Sequence, residues 1–335
     1  MSEFARWGVA VVLVVGGCSS EPTGGDAPDG VDGDTGDAVL ADTVGEADGT
    51  TGDVELEVGD MAGLDHADVE ADAWPTAIGG ARPATVVYPA GYAGEALPAV
   101  MLLGGYDYFS ADLDDWISLS GAVDSKRFIL VRPDGLVDED GSPFWNATDT
   151  CCDFYGVGVD DVGYLTGLLD ELERRFAVSG VGLVGHSAGG FMAYRMACEV
   201  PGRLAGIISI AGSGFLDPMD CAVTDVPLSV LQVHGEIDDV MPFGGDDDAP
   251  GALGMLERWG ETNGCRLRSW VLEGRSPAYA EEGDTSVGVY RDGCRPQDGA
   301  EDVRLWLLEG SDHYPTFTPA FTADALDWLL ERARP

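Results

Sequence analysis

Between Ala84 and Leu308 the sequence carries short apolar runs, each three to seven residues long and too brief to be independent helices. They are Ala84–Pro89 (ATVVYP), Leu97–Leu103 (LPAVMLL), Arg127–Val131 (RFILV), Gly182–Val184, Leu204–Ile210 (LAGIISI), Leu228–Val233 (LSVLQV) and Val303–Leu308 (VRLWLL). Most are apolar at consecutive positions, the pattern of strands buried on both faces inside a parallel sheet. Helical segments separate them. Asp160-Asp161 can cap a helix in which Val162, Leu165, Leu169, Leu172 and Phe176 recur at helical spacing. Phe191–Cys198 and Met255–Thr262 read as helices. Thr318-Pro319 pairs a cap with a proline at the first helical position, ahead of Phe321, Leu326, Trp328, Leu329 and Leu330 on one face. This alternation restricts the chain to an α/β fold, a mainly parallel central sheet with helices on both faces, in one domain over residues 75–335.

The residues before that domain follow a different logic. Met1–Arg6 is a short polar start, Trp7–Val15 is almost wholly apolar, and Val15-Gly16-Gly17-Cys18 is a small-residue site ending in cysteine. This is a secretory signal segment, too short to span a bilayer. Its end resembles a bacterial lipobox, which implies cleavage before Cys18 and a lipid on its sulfur. Residues 19–74 then read as an acidic, disordered tether, since 17 carboxylates lie between Glu21 and Asp72 with no Lys or Arg. Asp32-Gly33-Asp34-Thr35-Gly36 lacks the third oxygen ligand and the later bidentate Glu of a calcium loop. Removing those 17 negative charges from the net −42 leaves about −25 on the domain. Such a body repels nucleic acid and anionic surfaces, so the expected membrane contact is through the N-terminal lipid only.

Cysteine usage agrees with export to the cell envelope or beyond. Apart from Cys18 there are six, Cys151, Cys152, Cys198, Cys221, Cys265 and Cys294, an even number that suggests three disulfides in any of 15 connectivities. Strained vicinal geometry argues against a bond between Cys151 and Cys152. No spacing suggests a metal site, and no cofactor is expected.

Leu183–Gly190 (LVGHSAGG) places G-x-S-x-G between a short strand and a helix. In that setting Ser187 occupies a strained turn that projects its hydroxyl above the sheet, and Gly185 and Gly189 leave room for neighbouring backbone. A serine hydroxyl needs a base within about 3 Å to attack at neutral pH. Four histidines are available. His66 lies in the tether, His186 inside the turn and directed away from its neighbour's hydroxyl, and His234 at the end of a buried strand. His313 follows the last strand in a polar loop and is the candidate base. Glu236, Asp238 and Asp239 follow Leu228–Val233, and any of them could orient it.

Several further segments bear on this set: Trp145-Asn146-Ala147, Cys151-Cys152, Val159–Leu165 (VDDVGYL), Ala193–Glu199 (AYRMACE) and His234-Gly235-x-x-Asp238. With the G-x-S-x-G turn they resemble secreted α/β-hydrolases of the polyhydroxybutyrate depolymerase, feruloyl esterase and acetylxylan esterase group, over roughly Arg82 to Pro335. The resemblance implies Ser187, Asp238 and His313 as a triad. It also implies a Cys265–Cys294 disulfide, with Cys151 and Cys152 taking Cys198 and Cys221 in some order. The early strand ends in Leu103-Gly104 where the group usually has His-Gly. The oxyanion donors are backbone amides and do not depend on that histidine, so Ala188 and Gly105 (or Tyr106) are expected to serve. Near His313, Ser311-Asp312 replace glycines, and Tyr314-Pro315-Thr316 replace Trp-Pro-Gly. Tyr106, Trp145 and Tyr314 are candidate substrate contacts.

The expectation is therefore an exported serine carboxylester hydrolase acting through an acyl-enzyme. Its substrate would be an ester, possibly polymeric: a polyester, or a feruloyl or acetyl ester on polysaccharide. The alternative is a catalytically inactive, surface-tethered binding protein on the same fold.

Overall fold

The computed structural model describes residues 74–221, 226–266, 271–276, 278–290, 294 and 302–334. The signal segment, Cys18 and the tether up to residue 73 lie outside the described residues. In chain order the elements are β1 (Ala77–Ile78), β2 (Ala84–Val87), β3 (Leu97–Leu103), α1 (Ser110–Ile117), α2 (Val123–Lys126), β4 (Ile129–Arg132), β5 (Leu136–Val137) and β6 (Pro143–Phe144). They continue with α3 (Asp161–Arg175), β7 (Val178–His186), α4 (Ala188–Glu199), β8 (Gly206–Ile210), β9 (Ser229–Gly235) and α5 (Ala252–Thr262). The last are β10 (Val271–Ser276), β11 (Thr285–Tyr290), β12 (Val303–Leu308) and α6 (Pro319–Ala333).

Among the described residues, ten strands form one sheet in the order β1-β2-β4-β3-β7-β8-β9-β12-β11-β10. The six from β4 to β12 are mutually parallel, whereas β1, β2, β10 and β11 join antiparallel at the two edges. β5 and β6 make a separate hairpin. The chain moves outward from β3 to β4 and then returns to the other side of β3 as β7. The strand order thus reverses between β3 and β7, and a crevice opens beyond the carboxyl ends of these strands.

The parallel strands read as continuous apolar runs because both their faces are covered. In β3, Ala99, Met101 and Leu103 turn to a core layer shared with α3, α4 and α5, while Val100 and Leu102 turn to one shared with α1 and α6. Asp160 caps α3 by accepting from the Gly163 amide at 2.7 Å, and Leu165, Leu168, Leu169 and Leu172 bury one face of it. Thr318 and Pro319 open α6 as expected from their order. α1 has no clear apolar periodicity. It forms because the Asp112 carboxylate accepts from the Phe109 amide at 2.8 Å, and because buried Asp114 pairs with Arg132 at 2.7 Å.

Two of the expected disulfide partnerships need correction. Cys151 bonds its neighbour Cys152, and Cys198 bonds Cys221. Cys198 ends α4 with its Cα 5.3 Å from that of Cys221, within the ordinary disulfide range, so these two satisfy each other and the adjacent pair is left to itself. Cys265–Cys294 pairs as the resemblance implies.

Leu183, at the centre of β7, has no solvent exposure. Leu183→Ala is expected to lower unfolding free energy by about 2–5 kcal/mol, read from the urea midpoint, because the sheet cannot collapse into the void.

Candidate active site

β7 ends at His186 and α4 begins at Ala188, so the chain passes from strand to helix through Ser187 alone. Ser187 has φ 51° and ψ −119°. Such a left-handed conformation costs a non-glycine residue about 1–3 kcal/mol, and the surroundings must over-determine it. They do so through hydrogen bonds and close backbone contact. The Ser187 amide donates to the Ile210 carbonyl at 2.8 Å, and its carbonyl accepts from the Phe191 amide at 3.0 Å. A Cβ on Gly185 would strike the Gly189 carbonyl, and one on Gly189 would strike the carbonyls of Leu103 and Gly104. Both positions must be glycine for β7, α4 and the end of β3 to close on one another.

The loops after β9 and β12 meet beside this turn. The Glu236 amide donates to the Leu308 carbonyl at 2.9 Å, the Ile237 amide to the Ser311 carbonyl at 3.0 Å, and the Gly310 amide to Glu236 Oε2 at 3.0 Å. Of the three acidic candidates, Glu236 supports the histidine loop, Asp239 is exposed, and Asp238 reaches His313. His313 Nδ1 lies 2.8 Å from Asp238 Oδ2 and 3.1 Å from Oδ1. Asp238 is 5% exposed and also accepts from the amides of Val240 (3.0 Å) and Met241 (2.8 Å). Burial pushes its carboxyl up. The bonds from His313 and Met241, with the neighbouring imidazoles, outweigh that and hold it below the ordinary carboxylate value.

Three histidines are buried here, and their partners sort their roles. A carbonyl or a carboxylate can only accept, so each partner fixes the tautomer of the ring it touches. His234 Nε2 donates to the Met241 carbonyl at 2.7 Å, and its Nδ1 faces Gln232 Nε2 at 3.0 Å. His186 Nε2 donates to the His313 carbonyl at 2.9 Å, and its Nδ1 accepts from the Tyr108 hydroxyl. Both rings therefore have their nitrogens engaged, and burial lowers both pKa values, that of His186 to about 3. His313 gives its Nδ1 proton to Asp238, while its buried Nε2 has no hydrogen-bond partner in the protein. Ser187 and His313 Nε2 are thus not hydrogen-bonded to each other, but both border the same cavity of about 480 Å³.

That cavity is also lined by Tyr106, Phe154, Phe191, Met241 and Tyr314, and by the Cys151–Cys152 pair. Tyr106 is fixed by its bond to Asp138 Oδ2 at 2.7 Å and by an edge contact with Phe154. Asp107, Asp246 and Asp248 add carboxylates to the wall, and among the described residues no Lys or Arg lines it. Trp145 departs from its expected role as a substrate contact. It is 1% exposed, lies outside this wall, and donates to the Gly104 carbonyl at 2.9 Å. Its indole fills core space under the loop after β3. Ala188 is the first residue of α4, where an amide has no acceptor within the helix. Among the described residues neither its amide nor that of Tyr106 has a protein acceptor. The Tyr108 ring packs against Gly105. Phe154, Phe191 and Met241 went unnoticed in the sequence, although Met241 lies only three residues past Asp238. Tyr108 carries no local signal at all.

No protein-family model matches the chain. A stretch of 158 residues is 29% identical to "Putative esterase NocK" of Nocardia uniformis subsp. tsuyamanensis, covering 47% of this chain and 44% of that protein. A stretch of 111 residues is 27% identical to "Probable feruloyl esterase C" of Aspergillus clavatus, covering 32% of this chain and 38% of that one. The matches thus span less than half the length of these curated relatives. Among solved structures, an acetyl xylan esterase from Aspergillus awamori superposes with a TM-score of 0.52 at 12% identity, over 74% of this chain and 93% of that one. At that identity the likeness concerns architecture. The chain has an α/β-hydrolase fold, with Ser187 at its strand-to-helix turn.

The buried imidazoles make stability depend on pH. Unfolded histidine takes up a proton near 6.5, whereas folded His186 does so only near 3. Its contribution is therefore full above the unfolded value and is lost progressively as pH falls from there toward the folded one. His234 acts in the same sense, and Asp238 adds a loss at lower pH as its depressed carboxyl protonates. The urea midpoint is expected to fall between about pH 7 and about pH 4, and less steeply in His186→Gln. Parallel curves for the two proteins would contradict a neutral His186.

Proposed function

We propose that this chain is an exported, lipid-anchored carboxylester hydrolase that uses Ser187, His313 and Asp238 as nucleophile, base and orienting acid. One observation carries the reading. An Asp238-bound imidazole presents an unpartnered Nε2 at a cavity that also holds a serine in a strained strand-to-helix turn. Hydrogen bonds between a nucleophile and its base are often long or unformed without substrate.

In this reading Ser187 Oγ bonds to the acyl carbon while its proton passes to His313 Nε2. Asp238 stabilises the imidazolium without taking the proton. The charge on the carbonyl oxygen falls on the Ala188 amide and on a second amide from the loop after β3. The two expected there are those of Gly105 and Tyr106. The alcohol leaves with the proton from His313. Water then attacks the acyl-serine and gives a proton to the same nitrogen, which returns it to Ser187 Oγ as the bond to the acyl carbon breaks and the acid leaves. Losing one oxyanion donor would cost about 2.7–4 kcal/mol in transition-state stabilisation.

The wall chemistry and the relatives' names together support a neutral ester with an apolar or aromatic acyl group, such as a feruloyl, acetyl or polyester unit. Phe154 and Tyr314 are 64% and 57% exposed at the cavity, and offer apolar surface to such a group. Asp107, Asp246 and Asp248 oppose an anionic one.

The purified chain is expected to hydrolyse short p-nitrophenyl esters and to be labelled by a fluorophosphonate probe, and Ser187→Ala to lose both. An unlabelled, inert parent would instead identify a binding protein on a hydrolase fold. Polyhydroxybutyrate film clearing and ferulate release separate the two polymer classes. A substrate whose acyl group ends in a free carboxylate should show kcat/KM roughly tenfold below its neutral counterpart, through repulsion from the wall.

A further inference from the structure

One assembly, a half-buried Tyr108 against a fully buried His186, takes no part in the proposed mechanism. Tyr108 and His186 sit behind the Asp238–His313 pair, away from the cavity. The Tyr108 phenol packs on Gly105, where a Cβ would strike its hydroxyl. The same hydroxyl is bonded to His186 Nδ1. Burial raises the Tyr108 pKa, so the phenol keeps its proton and is the donor in that bond. His186 Nε2 in turn donates to the His313 carbonyl at 2.9 Å. His186 has no solvent exposure, and its ring lies 4.8 Å from that of His313. Trp116 of α1 meets the His186 ring edge-on at 4.9 Å, and its indole N–H donates to the Pro315 carbonyl at 3.1 Å.

This chain of bonds has a direction. Each donor finds one acceptor: the phenol proton goes to Nδ1, and the Nε2 proton goes to the His313 carbonyl. The neutral imidazole completes it, with Nδ1 as acceptor and Nε2 as donor. It connects the loop after β3, the turn between β7 and α4, and the loop after β12. The first is to supply the oxyanion amide, the second the nucleophile and the third the base. Nothing in core packing alone requires two polar side chains here, and a phenylalanine–leucine pair would fill similar space.

We propose that Tyr108 and His186 are positioning residues: a hydrogen-bonded strut running from the Tyr108 hydroxyl, packed on Gly105, to the His313 carbonyl that sets the base and the oxyanion loop against the Ser187 turn in one register. The proposal rests on the hydrolase reading given above. Neither residue touches the substrate cavity. Their loss should therefore lower kcat and leave KM nearly unchanged.

The experiment compares the parent with His186→Leu, His186→Gln and Tyr108→Phe. It measures kcat and KM for p-nitrophenyl butyrate, the rate of fluorophosphonate labelling, and thermal unfolding. Misplacement of reacting groups by about an ångström can cost about 100-fold, so His186→Leu should lose about that much in kcat with KM within about twofold. His186→Gln can donate from its amide nitrogen to the His313 carbonyl and accept from Tyr108 through its oxygen. It should recover to within about fivefold of the parent, a rescue that filling space does not explain. Tyr108→Phe should lose about tenfold, again in kcat. The proposal is overturned if folded His186→Leu keeps the parental kcat, if Gln does no better than Leu, or if the loss lies in KM. Should His186→Leu fail to fold, parental kcat in Tyr108→Phe overturns it equally. An inert, unlabelled parent removes the hydrolase reading, and the strut falls with it. A normal parent with normal variants removes the strut alone.

Discussion

The architecture depends on how closely three backbone segments approach at the end of β7. α4 must start one residue after the strand stops, and the end of β3 must lie against the first turn of that helix. Hydrogen bonds from the Ser187 backbone to Ile210 and Phe191 fasten the turn from either side. The unfavourable backbone of Ser187 persists because a central strand and a buried helix are both anchored to it. The same closeness brings the loop after β3 beside the serine, since Leu103 pairs with Gly185. The site is thus a product of sheet order: it forms where the strand succession reverses.

Beside that turn, polar burial is organised so that one nitrogen stays available. His186 and His234 each end on a backbone carbonyl, which locks them neutral and saturated. His313 ends on a carboxylate instead, and that carboxylate is held ionised by amide donors as well as by the ring. The difference between structural and reactive imidazole lies in the partner, since all three are almost completely buried.

Much of this was legible in the residue pattern, for stated reasons. The parallel strands announce themselves because two-sided burial admits few polar residues, and Gly185 and Gly189 announce the turn because nothing larger fits. His313 came from its place after the last strand, whereas position left Glu236, Asp238 and Asp239 open and the resemblance at His234-Gly235-x-x-Asp238 singled out Asp238. Other features depend on contacts that no local pattern encodes. α1 is held by Asp112 and Asp114, whose charges mask its helical character in the sequence. The edge strands β10 and β11 mix glycine, charge and apolar residues, and strand order alone explains their pairing. Cys151 and Cys152 bond each other because Cys198 already has a partner at close range. Trp145, an aromatic expected at the substrate, is a prop for Gly104 instead. Tyr108 was invisible because its meaning arises only when two loops far apart in sequence meet over His186.

The position of α6 carries a consequence for the order in which this domain folds. The helix follows every described strand in sequence, yet its Leu329 presses on Gly182 at the middle of the central strand, and the Ala333 carbonyl accepts from Ser179 Oγ at 2.6 Å. This part of β7 therefore stays wet until α6 has emerged. A nascent chain cannot finish its core residue by residue, and a sheet with an uncovered apolar face invites association with other chains. Docking of α6 is thus a natural checkpoint between a sticky intermediate and the completed core.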